Sequence, residues 1–231
     1  MIRRILAATL LFGVMFVSET WAAEGGEDAY TQMVIKLCAG IHNSFECARV
    51  IESSQVNAGA SRHAVRKKES LVIRLNGKAA VLRDKGAAEE GAADGVELYS
   101  YIDYLSDMQL HVVHVQFYEG DTFLAIHQDS GQKSYPSGFP VVSPDLQRFV
   151  ATSCDLVAGF DPNNIEIWRS NKGKLFLEWS QDIEGWGPRK AQWLASDRIR
   201  IEKECYDGNE DEHPCGTVEL VREGGQWKFV Q

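Results

Sequence analysis

Leu110-His-Val-Val-His-Val-Gln-Phe-Tyr118, then Glu119-Gly-Asp121, then Thr122-Phe-Leu-Ala-Ile-His-Gln128 is the stretch that decides the fold. Two runs rich in β-branched and aromatic residues flank a glycine turn, the pattern of two antiparallel strands. Neither run carries the 3.6-residue apolar period of a helix. The reading extends outward. Val96–Leu105 precedes it, and Phe149–Cys154, Ile165–Arg169, Leu175–Trp179, Arg198–Glu202, Thr217–Arg222 and Gln226–Val230 follow. Turn signals at Asp129-Ser-Gly131, Asn171-Lys-Gly173 and Glu223-Gly-Gly225 separate them.

Short strands with close turns make the chain mainly β: an antiparallel meander of propeller-like or sandwich-like sheets across 96–231. Upstream, residues 61–95 read as a β-hairpin and a flexible loop. Leu71–Leu75 and Lys78–Leu82 are joined by Asn76-Gly77, the strongest short hairpin signal. Gly86–Gly95 is low in complexity and has nothing to bury. The basic run Ser61–Lys68 reads as a solvated turn. Residues 23–60 read as a helical hairpin. Its first helix ends near Gly40, a natural left-handed stop. Asn43 with Glu46 three residues on has capping-box spacing for the second.

The first 22 residues look like a secretory signal peptide. A basic Met1–Arg4 leads into thirteen uncharged residues, Ile5–Val17, with Thr20 and Ala22 at the cleavage positions. An uncleaved anchor is the alternative. Export implies a periplasmic or secreted protein that does not span the membrane once cleaved. With 24 Lys+Arg against 33 Asp+Glu, the net charge of −9 repels phosphates and excludes non-specific nucleic-acid binding.

Five cysteines then enter an oxidising space. Cys38 and Cys47 are nine apart, and Cys205 and Cys215 ten apart, which suggests two local disulfides. On one continuous helix nine residues rise roughly 13.5 Å, twice a disulfide's reach. The first bridge therefore needs the break at Gly40. Cys154 is left over and reads as a buried, inert thiol.

Gly138-Phe-Pro-Val-Val-Ser-Pro-Asp145 resembles the Pro-x-x-Ser-Pro-Asp turn of WD-type β-propeller repeats, such as those of periplasmic Tol-system proteins. Gly187–Asp197 is similar to a degenerate copy, its Asp 52 residues after Asp145, close to one blade. The resemblance implies propeller-like sheets, and the β region holds three blades at most, too few to close a ring. Asn43-Ser-Phe-Glu-Cys-Ala-Arg49 resembles a stretch of secreted lysozyme-inhibitor-like domains. The whole layout is similar to secreted bacterial proteins of unknown function.

No Gly-x-Ser-x-Gly elbow, phosphate-cradling glycine loop, dinucleotide fingerprint or Cys-x-x-Cys pair occurs. His111 and His114 are three apart, which on a strand puts them on opposite faces, one structural and one at the surface. His127 is the residue that would have to join them to make a metal site. Asp207, Asn209 and Asp211 have the spacing of the first ligands of a calcium loop, but Glu212 and Val218 stand where glycine and a bidentate Glu belong. Calcium is therefore the candidate ion, and a weakly held one. Asp103, Asp107, Glu119 and Asp121 are the carboxylates a glycan hydrolase would draw on. If Ile165 and Ile167 face inward, Glu166 and Trp168 face outward, and with Tyr118 they form a candidate partner-binding surface. The reading that follows is a non-catalytic binding protein for a protein or envelope ligand. The alternatives are an envelope glycan hydrolase, a calcium-stabilised module and a lysozyme inhibitor.

Overall fold

A computed structural model describes residues 28–57, 62–86, 95–208 and 211–230. Residues 1–27, Asn209 and most of the Gly86–Gly95 loop lie outside the described residues. Two helices come first among the described residues, α1 (Ala29–Leu37) and α2 (Ser44–Asn57). Asp28 caps α1 by accepting the Thr31 N–H at 2.9 Å, and Asn43 caps α2 by accepting the Glu46 N–H at 3.0 Å. Between them Gly40 takes φ +82°, and the turn brings Cys38 and Cys47 to a Cα separation of 5.3 Å, joined as a disulfide.

The rest is antiparallel sheet, in four groups that follow chain order. The first sheet holds β1 (Ala64–Lys67), β2 (Ser70–Leu75) and β3 (Lys78–Arg83). The second holds β4 (Leu98–Leu105), β5 (Leu110–Gln116), β6 (Asp121–His127) and the short β7 (Lys133–Ser134). The third holds β8 (Val141–Val142), β9 (Arg148–Ser153), β10 (Asn164–Asn171) and β11 (Lys174–Asp182). The fourth holds β12 (Gly187–Ala195), β13 (Arg198–Cys205), β14 (His213–Glu223) and β15 (Gln226–Val230). Within each sheet every strand pairs with its neighbour in sequence, as a meander requires.

Consecutive sheets share cores. Leu71, Ile73 and Leu82 of the first sheet pack on Tyr101, Val113, Leu124 and Ile126 of the second. The opposite face of the second sheet is divided. Ile102, Val112 and Phe123 meet Ile51 and the disulfide of the helices, while Leu110 and Ala125 meet Phe149, Ala151 and Leu175 of the third sheet. This explains why every residue of β5 is buried: both of its faces are covered. Between the third and fourth sheets lie Val150, Ile165, Ile167, Ile199, Ile201, Leu220 and Trp227.

Two expectations need correction, and one strand goes beyond the sequence reading. The basic run Ser61–Lys68 is no solvated turn over its described length, because Ala64–Lys67 forms β1 and Arg66 turns inward to Glu52. Gly187–Ala195 is a full strand although Pro188 lies in it. β12 is the edge of its sheet, where a missing N–H costs no ladder bond. His114 is not at the surface; at 3% exposure it is covered by Tyr30 of α1.

Ser143-Pro-Asp145 does what its chemistry allows. The Asp145 carboxylate accepts from Ser143 Oγ at 2.6 Å and from the Gln147 N–H at 3.1 Å, and Leu146 turns left-handed at φ 59° with its N–H on the Ser143 carbonyl. Ser106-Asp107-Met108-Gln109, at the equivalent first hairpin of the second sheet, repeats the backbone turn. Gln109 is left-handed at φ 54° and its N–H reaches the Ser106 carbonyl at 3.2 Å. Ser196-Asp197 sits at the first hairpin of the fourth sheet.

Candidate functional site

The core between the third and fourth sheets runs out into an open cleft of about 670 Å³. Asp182 ends β11, Ile183, Glu184 and Trp186 form the connection to β12, and Lys203, Val218 and Phe229 come from the three later strands. Its floor is aromatic. The Phe229 ring stands at 71° to Trp186 and at 78° to Trp179, each with centroids 6.1 Å apart, edge-to-face geometry. Lys203 places its Nζ 5.2 Å from the centroid of Trp186, a cation over an indole face.

The connection carrying Trp186 is held from below. Asn163 Nδ2 donates to the Ile183 and Trp186 carbonyls, both at 2.8 Å, and the Ile183 N–H returns to the Asn163 carbonyl at 2.8 Å. Gly187 lies against Cys154: a Cβ there would meet Sγ at 2.1 Å, so only glycine allows this approach. The Cys154 thiol is unpaired and half-buried rather than fully buried. Burial, then the charges of Glu212, Glu204 and Asp155, push it up to about 11, so it stays protonated and unreactive near neutrality. Its contact with Gly187 supports the cleft wall.

Glu166, Trp168 and Tyr118 are not gathered in this cleft. Trp168 is half-buried and stacks on Phe149 at 6.1 Å. Its Nε1–H donates to Glu166 Oε2 at 2.8 Å, and the same oxygen accepts the Ser137 N–H at 3.0 Å. A bulge between Ile167 and Trp168 sets that turn of the strand. The structure thus joins Trp168 to Glu166, with the indole's one donor satisfied. Tyr118, 62% exposed, lines a separate cleft of about 700 Å³ with Lys85, Val96, Glu97, Phe117 and Glu119.

His111, His114 and His127 occupy three separate settings. His111 Nδ1 faces the Tyr101 hydroxyl at 3.1 Å and Nε2 faces Gln128 Oε1, so Tyr101 donates and the imidazole gives its own N–H to Gln128. Burial pushes His111 down to about 4, and it is neutral at physiological pH. His63 stacks on Tyr104 beside it, centroids 4.0 Å apart. His114 lies 3.3 Å from the Tyr30 hydroxyl and 3.2 Å from Asp121 Oδ2. His127 accepts the Asp129 N–H at 3.2 Å within its own turn. Among the described residues no group of three or more His, Cys, Asp or Glu is arranged to hold a metal.

Asp207 and Asp211 lie in the loop closed by the Cys205–Cys215 disulfide, and Asn209 between them is outside the described residues. Of the four carboxylates, Asp107 and Glu119 lie beyond opposite ends of β5, a strand about 20 Å long. Burial raises Asp103 above the usual carboxylate range. Asp155, a turn residue, binds the N–H groups of residues 157–161 with its own carboxylate, the longest at 3.3 Å, which holds its pKa low against the desolvation of burial.

Sequence reasoning does not single out Lys203, Asp182, Glu184 or Phe229. The available signal is Trp186 between two glycines, a bulky ring in a segment with space around its backbone. Phe229 is 43 residues away, and only the meander of the fourth sheet brings it beside Trp186. No protein-family model and no curated protein matches the chain.

Proposed function

We propose that this chain is an exported, non-catalytic binding protein that holds an envelope ligand in the aromatic cleft around Trp186 and Phe229. The observation that carries the reading is the preformed cleft itself. An aromatic floor left open to solvent, on a connection pinned by Asn163, is the composition of a ligand site rather than of a core. Its volume falls within the usual range for small-ligand sites. Two disulfides suit an oxidising periplasmic or extracellular space, and among the described residues no helix is long and apolar enough to cross a membrane.

The scaffold reading is three propeller-like blades, the second to fourth sheets, that do not close into a ring. Its support is the four-stranded meander of each sheet and the Ser-Asp turn at the first hairpin of each. Residues separated on the hairpins of successive blades are then available to carry a ligand at one rim.

The test is calorimetric titration of the protein with a soluble peptidoglycan digest and with an envelope peptide fraction. Saturable heat with one of them, lost in Trp186→Ala, is expected. Turnover of labelled peptidoglycan that a single carboxylate substitution abolishes would replace the binding reading with the hydrolase.

A further inference from the structure

We infer that the Trp186 cleft takes a small soluble organic cation bearing a quaternary ammonium group, in the place that the Lys203 ammonium now holds. The inference rests on the binding reading above and names the ligand class for that cleft. The chain itself demonstrates the compatibility, since Lys203 Nζ sits 5.2 Å from the Trp186 centroid. Phe229, set nearly perpendicular to that indole, offers a second ring wall.

Charge points the same way. Asp182 and Glu184 are exposed at the rim and neither has an ion-pair partner among the described residues. This contrasts with the charges of the fourth sheet outside the cleft, where Arg189 is paired with Glu202 and Glu204, and Lys228 with Glu223. An anionic ligand would meet both free carboxylates. A cation would meet carboxylates at the rim and an indole face beneath.

Lys203 is a poor permanent occupant. A primary ammonium is compact and strongly hydrated, on a flexible four-carbon stem. A trimethylammonium group is larger, less hydrated and covers more of the aromatic face, the recognition mode of aromatic cages. Lys203 is thus an internal competitor, and removing it strengthens ligand binding rather than weakening it.

Choline and its neutral isostere 3,3-dimethylbutan-1-ol, titrated calorimetrically into the protein, test this. Choline is expected to bind about tenfold more tightly than the alcohol, because the charge is the difference between them. Trp186→Ala should weaken choline about tenfold, Trp186→Phe less, and Lys203→Met should tighten it several-fold, with unfolding midpoints recorded to exclude damage to the fold. Equal affinity for choline and the alcohol overturns the cation while leaving the cleft as a ligand site. So does silence with both probes when the peptidoglycan or peptide fraction still gives Trp186-dependent heat. Silence with every ligand overturns the binding reading as well. Binding to phosphatidylcholine vesicles without binding free choline overturns the soluble ligand.

Discussion

Between α2 and the first two sheets, two buried carboxylates are partnered by two half-buried arginines; between the last two sheets, a mostly apolar core opens to solvent at one end. In the first region Arg66 forks onto both oxygens of Glu52 at 2.7 Å, and Glu52 also accepts the Tyr101 N–H at 2.8 Å. Asp84 accepts from Arg49, from Arg66 at 3.2 Å and from the Tyr99 N–H at 3.0 Å, and both arginines reach the Tyr99 carbonyl. Two cations and two carboxylates cancel, and backbone groups take the remaining donors. In the second region Glu178 links Arg148 and Arg222 across the two sheets, and toward the cleft the apolar core gives way to rings that face solvent and Lys203. A charge network closed on itself is architecture. An aromatic surface that stops short of closure is available to something else.

The largest expected effect breaks the first region. Arg66→Met leaves Glu52 and Asp84 buried with one cation fewer, and should cost about 3–5 kcal/mol in urea unfolding. A loss below about 1 kcal/mol would mean the network is solvated and the contrast with the cleft is false.

The next concerns His111. Its folded pKa is about 4 against about 6.5 unfolded, so between those values the unfolded chain binds the extra proton. The contribution is present above pH 6.5 and is lost as pH falls toward 4, on the order of 3 kcal/mol in all. Stability measured from pH 7 to 4 should fall more steeply in the native chain than in His111→Gln.

Smaller effects compare the two disulfides. Their loops are nearly equal, nine and ten residues, so chain entropy assigns each roughly 2–3 kcal/mol. Cys38 and Cys47 also lie in a hydrophobic cluster with Ile51 and Phe123, whereas Cys205 and Cys215 are half-exposed. The double Cys→Ser change at 38 and 47 should therefore lower the unfolding free energy more than the change at 205 and 215. Equal losses would leave only the entropy. The smallest effect is Tyr118→Ala, at 62% exposure, which should stay within about 0.5 kcal/mol of the native chain.

What local chemistry controls is legible in the sequence. The helix break, the Asn43 cap, the Asn76-Gly77 hairpin and both cysteine pairs each depend on residues within about ten positions. The misreadings share one cause. Arg66 reads as solvated because Glu52 and Asp84 are distant in sequence, and His114 reads as exposed because nothing near it announces α1 as its cover. Trp168 lies on the strand face opposite Ile165 and Ile167, but that face packs against the second sheet, and a bulge and the neighbouring Glu166 set how it sits there.

By itself the sequence determined a mainly antiparallel chain, its turns and its local disulfides, because strand alternation, glycine conformations and short loop closures are short-range physics. Tertiary structure alone decided which charges are buried, which rings remain open, and that Asp182, Trp186, Lys203 and Phe229 share one cleft. Those outcomes depend on which sheet face covers which, and burial belongs to the packed chain rather than to any segment of it.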